Sequence, residues 1–435
     1  MPVPKPTNRT PVPNPVPSFW NAAPRPLDDH RTTPDLPAAC DIVIVGAGFA
    51  GVATAYHILK DNPSPPSITI LEARKVCSGA SGRNGGHVKP DTYFQVPKYT
   101  KLFGPEQAAK LAAFEASNVY AVKELVESEC LDCDFHLTRA VDVYLDPEHA
   151  KETEAAYREL VKAGVVNMKD VSFTPKKDAE RVSLRSQGRS VRVLLHSSTS
   201  MASQNGPPAP RPSPQKGAEP TSQHASDINF INTRRRWPLD NPDPARCHQC
   251  RQGRRSHKRL PHLVNTYGIR FDARNNDYLI PRADGSIVVG GARQMFWHKR
   301  GEWFDNVQDD ELVKGASPYF DGCMQRHFRG WEESGATTER VWTGIMGYSS
   351  DFMPHLGGVP GKPGQFIIAG FSGHGMPEIL LSSKGVAAMI RDGASFESTG
   401  LPRIMETSRA RIERKDSPLE DGLKSLWEDD VKAKL

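Results

Sequence analysis

Apolar positions along this chain fall into short β-branched runs and longer helical stripes, and the order of the two predicts an α/β protein. Residues 41–45, Asp-Ile-Val-Ile-Val, form a brief apolar run expected to be a strand buried on both faces of a parallel sheet. Over residues 52–60 the spacing turns helical, with Val52, Tyr56 and Leu59 on one face, and three prolines within 61–67 end the helix. Residues 68–71 make a second strand closed by Glu72, which completes a βαβ unit. A long helix is expected over 105–129, with Leu111, Phe114, Val122 and Leu125 among its apolar positions. Residues 140–145 read as a strand, and Asp146-Pro147 supplies an N-cap and first-turn proline for a helix ending near Gly164. Residues 278–281 and 286–289 bracket Ala283-Asp-Gly285 as a hairpin. Residues 365–369 read as another buried strand and 377–390 as another helix, with no internal repeat.

Composition locates what this pattern leaves out. Of the 37 prolines, 11 lie in residues 1–37 and 9 in residues 184–260, so two stretches hold most of them and neither suits a packed core. Residues 184–260 also carry 14 Lys and Arg against 4 Asp and Glu; the whole chain is +5, which leaves the rest at −5. The basic balance is thus confined to one polar segment and does not by itself call for an anionic partner. The 435 residues allow two or three domains. Seven cysteines and a proline-rich start without an apolar run lead us to expect a soluble protein of a reducing compartment, without disulfides. The long uncharged stretch at 42–59 is interrupted by Gly46, Gly48 and Gly51, and reads as strand, turn and helix rather than a membrane span.

The chemistry begins at that turn. Gly46-Ala-Gly-Phe-Ala-Gly51 sits between strand and helix, and Glu72 follows 21 residues beyond Gly51 at the end of the next strand. Gly46 permits the tight turn, Gly48 lets backbone amides approach a pyrophosphate, Gly51 lets the helix pack on the sheet, and Glu72 accepts from ribose hydroxyls. A glycine-rich structural turn is the plainer alternative, and NAD, NADP and FAD share the fingerprint. Cys77-Ser-Gly-Ala-Ser-Gly-Arg-Asn-Gly-Gly-His87 follows the second strand directly, and amides around Ser81 and Arg83 offer a second phosphate site. A nicotinamide dinucleotide needs no such second loop, whereas a flavin does. Gly370-Phe-Ser-Gly-His-Gly-Met376 then joins a strand to a helix N-terminus, whose dipole suits the pyrimidine edge of a reduced flavin.

With these motifs the chain resembles the FAD-dependent amine and amino-acid oxidoreductases of the D-amino-acid oxidase and glycine oxidase type, most of all the γ-glutamylputrescine oxidoreductase-like fungal branch. The resemblance rests on residues 41–51, Glu72-Ala-Arg74, residues 79–87, Trp342-Thr-Gly-Ile-Met-Gly-Tyr348, Asp351 with Pro354, and residues 370–376; it covers roughly 18–183 and 261–395. It implies a doubly wound, Rossmann-type FAD-binding domain built from both chain ends, with an inserted α+β substrate domain carrying a mixed sheet. It also implies cofactor contacts in three places. The first is Gly46, Gly48 and Gly51 with Glu72, Ala73 and Arg74. The second is Ser78, Ser81, Gly82, Arg83, Asn84, Gly85 and Gly86, and the third is Gly370, Gly373, His374, Gly375 and Met376. The implied reaction is oxidation of a C–N bond of a small amine or amino acid, with hydride passing to flavin N5 and dioxygen reoxidising the flavin. His87 and His374 are the candidates beside the flavin, with Trp342, Tyr348 and Arg293 for the substrate wall; no metal is implied.

The implied division is a leader at 1–37, a FAD-binding domain at 38–100 with 341–395, a substrate domain at 101–183 with 261–340, and a C-terminal helical tail at 396–435. Between the two parts of the substrate domain, residues 184–260 lose the family pattern: 14 of 77 are large apolar or Cys, and 191–195 is the single strand-like run. We expect either a disordered insertion or, as the favoured reading, a stretch translated out of frame, and a flavin-fold chain unable to hold FAD is the corresponding alternative function. Cys130-Leu-Asp-Cys133 and Cys247-His-Gln-Cys250 have zinc-ligand spacing but lie far apart, and Arg234-Arg-Arg236 and residues 251–259 form basic clusters with one nearby aromatic, Trp237. Solvated charge is the expected reading of these clusters, with no nucleic-acid partner and no membrane. Ala433-Lys434-Leu435 is a variant of a peroxisomal address, so a cytoplasmic or peroxisomal location is expected.

Overall fold

The structure is a computed structural model that describes residues 11–166, 171–174, 178, 192–200, 228–232, 263–419 and 421. The C-x-x-C pair at 247–250, both basic clusters and the C-terminal tripeptide lie outside these residues. Three strands make a parallel sheet in the order β1 (Ile42–Val45), β2 (Ile68–Glu72) and β7 (Ile228–Asn232), the last taken from inside the polar middle segment. The register runs Ile42 opposite Ile68 and Ile68 opposite Ile228. Helix α1 (Phe49–Leu59) covers this sheet together with α5 (Ile379–Asp392) from the other chain end. Ala47, Ala55, Ile58, Ile68, Ile70 and Ala387 form one buried cluster across the two ends, and Ser383 Oγ donates to the Ala50 carbonyl at 3.2 Å. Each fully buried isoleucine in it contributes about 1.5–3 kcal/mol.

Two expectations about this layer need correction. The buried stripe of α1 is Ala53, Thr54, Ala55 and Ile58, while Val52 faces outward at 36% exposed. Small side chains let α1 approach its neighbours closely, and larger ones sit at the rim; Tyr56, for instance, donates to Glu129 at 2.5 Å. β1 is not buried on both faces either, because Val43 and Val45 are 54% and 85% exposed. Among the described residues the strand has β2 on one side only, and β12 (Phe366–Ala369) pairs instead with β11 (His355–Gly358) in a separate antiparallel ribbon. β12 is accordingly half open, with Phe366 exposed.

The second sheet is mixed, in the order β10 (Ile287–Gly290), β9 (Asn276–Pro281), β8 (Thr266–Arg270), β4 (His136–Tyr144), β6 (Arg192–Ser200) and β3 (His87–Val88), with β5 (Ser172–Thr174) on β6. β4 pairs with β8 in parallel and with β6 antiparallel over nine residues. Thus the middle segment contains two strands, one in each sheet, where the sequence shows a single strand-like run. The hairpin is as expected, with Ile287 opposite Pro281 and Gly285 at φ +86°. Helix α2 (Val96–Phe103) leads into α3 (Pro105–Ser128), which buries Leu111, Phe114 and Val122 but also Glu115 and Asn118. Helix α4 (Pro147–Lys162) starts on Asp146, whose carboxylate accepts from the Glu148 and His149 amides.

The two chain termini also depart from expectation. Part of the leader is packed: Ser18, Trp20 and Asp28 are buried, and Trp20 shares a cluster with Ile280 and Val288. Residues 396–417 form short turns and one brief helix, Arg409–Ile412, and return Phe396, Leu401 and Met405 to the core, while most of the expected helical tail lies outside the described residues.

Candidate functional site

The first glycine turn is shaped by sterics. Gly46 sits at φ +103°, where only glycine is comfortable, and its amide donates to the Leu71 carbonyl at 2.7 Å. A Cβ on Gly51 would collide with the Gly46 carbonyl oxygen, so the start of α1 lies directly on the turn. Gly48 is the N-cap of α1 and provides no side-chain cap, leaving the helix N-terminus to outside acceptors. Glu72 ties the two strand ends together: Oε2 accepts from the Ala47 amide and Oε1 from the Arg74 amide, both at 2.8 Å. Ala73 is exposed beside it.

The second loop is clamped from several directions. Its own amides at Gly82 and Arg83 close a short turn on Gly79 and Ala80 at 3.0 and 3.2 Å, so these two are engaged within the chain instead of facing a phosphate. Ser78 Oγ accepts from the Lys75 amide, and Asn84 bridges Ser81 O and the Gly86 amide. Ser81 Oγ accepts from the Phe49 amide at 2.8 Å, which joins this loop to the first turn. The leader straps the outer side: Ser18 Oγ and Asn21 Nδ2 donate to the Gly82 carbonyl at 2.5 and 3.1 Å, Trp20 Nε1 to the Asn84 carbonyl at 2.6 Å, and Arg25 to the Val76 carbonyl. Beneath, the buried Asp309 carboxylate receives Arg74 on both oxygens at 3.0 Å and lies 3.5 Å from Arg83 Nε. Burial pushes the Arg83 guanidinium below its ordinary range, and Asp309 opposes that. Gly85 abuts the Tyr278 ring so closely that no side chain fits there.

Residues 342–348 link this loop to the third. Trp342 Nε1 donates to the Arg83 carbonyl at 2.9 Å, Arg83 Nη1 to Thr343 O at 2.6 Å, and the Ser372 amide to Gly347 O at 2.9 Å. Tyr348 bridges to Phe371 and lies against Gly373, which with Gly370 takes positive φ. Gly375 sits against Phe371 and Ile379. Helix α3 reaches this third loop with two polar side chains. Glu115 Oε2 accepts from His374 Nε2 at 2.8 Å and from the Asp91 amide at 2.6 Å, and Asn118 holds Met376 O and the Leu381 amide. Glu378, at the N-cap of α5, is 3% exposed and its Oε2 has no hydrogen-bond partner.

Charge in this cluster follows from burial and proximity. Burial, then the Glu115 charge, push the Glu378 carboxyl well up. Burial also raises Glu115, against the pull of His374. For His374 burial favours the neutral ring, but its side chain is still 40% exposed and the Glu115 carboxylate outweighs that, raising it to about 10.

Of the proposed substrate-wall residues, Trp342 and Tyr348 lie among the glycine loops. His87 hydrogen-bonds Thr266, whose Oγ1 donates to Leu279 O at 3.0 Å. Arg293 lies exposed on a one-turn helix, Arg293–Phe296, with its guanidinium 5.2 Å over the Trp297 ring. Glu115, Asp309, Tyr278 and the leader residues went unread in the sequence. For Glu115 and Asn118 a signal existed, since both fall on the apolar stripe of α3, where a polar side chain must find a partner. Among the described residues no group of His, Cys, Asp and Glu could hold a metal ion, and no helix is long and apolar enough to cross a membrane.

Comparison with known proteins gives this arrangement a context. The family described as FAD dependent oxidoreductase matches residues 41–200 and 237–389. Among curated proteins, γ-glutamylputrescine oxidoreductase from Escherichia coli is 28% identical over 96 residues, covering 22% of this chain and 22% of that protein, so the chain spans about a fifth of the length of this relative. Among solved structures, glycine oxidase from Geobacillus kaustophilus superposes with a TM-score of 0.58 at 14% identity, over 85% of this chain and 98% of that one. L-amino acid deaminase from Proteus vulgaris gives 0.54 at 12% identity, over 84% and 96%. Both likenesses concern the fold.

Proposed function

Because the chain belongs to the FAD dependent oxidoreductase family, matched over residues 41–200 and 237–389, we propose that it oxidises a C–N bond of a small amine or amino acid. One observation carries this reading: three glycine segments far apart in sequence are joined by direct contacts, Phe49 to Ser81, Arg83 to Trp342 and Thr343, and Gly347 to Ser372. The first turn fits a dinucleotide because Gly51 admits no Cβ and because the α1 N-terminus, whose Phe49 amide is taken by Ser81 while the N-cap Gly48 has no side chain, suits a pyrophosphate. In this reading FAD supplies a two-electron acceptor for hydride leaving the carbon beside nitrogen, and dioxygen is the terminal acceptor. Gly46, Gly48 and Gly51 hold the pyrophosphate, Glu72 the ribose through its remaining lone pairs, residues 78–86 the ribityl side, and residues 370–376 the pyrimidine edge. Tyr348 and Trp342 wall the substrate and exclude water, and His87, tethered to Thr266 and lying against the Tyr278 ring, is the candidate on the flavin side.

A second reading, a flavin-fold chain that no longer holds its cofactor, draws on the open edge of β1 and the exposed Val43 and Val45. The full chain, purified and reconstituted with FAD, separates the two. Flavin absorption bands that bleach anaerobically with one member of an amine and amino-acid panel, with peroxide formed when air is admitted, are expected. A protein that stays colourless after added FAD supports the second reading, and a yellow one bleached by no member of the panel removes the substrate class.

A further inference from the structure

Helix α3 carries two polar side chains on its buried face, one turn apart, and both are spent on a single segment of the other chain end. Asn118 receives the Leu381 amide at 2.9 Å and donates to Met376 O at 3.3 Å, while Glu115 receives His374 Nε2 at 2.8 Å. The Glu115 carboxylate is 1% exposed, and its second donor is the Asp91 amide. A buried carboxylate that meets one imidazole and one amide is stable only when the imidazole bears its proton, because an unpaired buried charge is expensive. The cation sits on the glycine loop and the anion lies behind it on α3. Every other titratable group named for this cluster is acidic: Glu378 from α5, Asp91 from the segment before α2, Tyr99 from α2, and Tyr348 from the stretch before β11. None is a cation that would expel the proton.

We propose that Glu115 is a positioning residue for His374: from α3 it fixes a cationic imidazole in the 370–376 loop and thereby makes bound flavin easier to reduce. The flavin half rests on the reading that this loop faces the pyrimidine edge. A fixed positive charge there stabilises the electron-rich form more than the oxidised one, and it acts more strongly in a partly buried site than in water. Glu378, kept neutral by burial, contributes little to that field while the pair is intact.

The test has two readouts. In 13C-histidine-labelled apoprotein, the resonance that H374N removes belongs to His374. In E115Q it should titrate about 1–3 pH units lower than in wild type, and E115D should restore much of the difference. An unchanged titration in E115Q overturns the pairing. In FAD-loaded protein, dye equilibration should give E115Q a lower midpoint potential than wild type between the two His374 titrations, and the same potential on the acid side of both. H374N should be low throughout, and adding E115Q to it should change nothing further. A His374 titration that moves while the potential does not overturns the proposal at its flavin half, and places the fault in the assignment of the loop. H374N alters a side chain that is 40% exposed, so its potential decides the question even where E115Q folds poorly.

Discussion

The second and third glycine segments lie side by side but are held by unlike means. Residues 79–86 are gripped by backbone carbonyls receiving Ser18, Trp20 and Asn21, and by a buried carboxylate, Asp309, between two guanidiniums. Residues 370–376 are gripped through an imidazole and the Glu115 carboxylate. The first arrangement rests on backbone acceptors and an ion pair, whereas the second rests on an imidazole that can lose its proton. One chain therefore places a rigid clamp and a proton-sensitive one on the same candidate site.

The comparison breaks most visibly at Asp309. Replacing it by Asn leaves Arg74 and Arg83 without their buried partner, and urea unfolding should show a loss of about 3–5 kcal/mol. A loss below about 1 kcal/mol would mean that the clamp does not depend on this carboxylate. Next comes Trp20→Ala, which empties a buried site in the cluster with Ile280 and Val288 and removes a hydrogen bond to the second loop. It should cost about 3 kcal/mol and release FAD faster, measured as flavin passing an ultrafiltration membrane over time. Trp20→Phe keeps the ring and loses only the Nε1 donor; about 1 kcal/mol is expected, with FAD retention close to wild type.

The smallest effect sharpens the contrast through pH. His374 is raised from 6.5 to about 10 in the folded protein, so its contribution to stability is fully present below 6.5 and is lost as pH rises through about 10. Thermal unfolding should therefore fall off on the alkaline side of neutrality in wild type, and H374N should flatten that limb. The effect is modest because a 40% exposed imidazole is screened by solvent.

How much of this was legible varies with the range of the interaction. α3 and α4 begin at the prolines that mark them, and the hairpin of β9 and β10 turns at the glycine that signals it. α1 starts three residues before the expected 52–60 and buries a rotated face, because periodicity counts large apolar side chains and the packing used Ala53, Thr54 and Ala55. β7 is a five-residue run with three apolar positions, Ile228, Phe230 and Ile231, hidden by the polar composition around it. Trp20 was hidden for the opposite reason, since prolines on every side suggest an unpacked chain, yet a chain stiffened by proline loses less entropy when it is strapped to a surface.

Local grammar was enough to determine the α/β class, the glycine turn between β1 and α1, the two later glycine loops and their order, since each depends on sterics and hydrogen bonds within a few residues. Only the folded chain decided what holds those loops. Ser18 meets Gly82 across 64 positions, and Glu115 meets His374 across 259. No periodicity records a partner at that distance, because a buried polar side chain announces that it needs one without saying where along the chain it will be found.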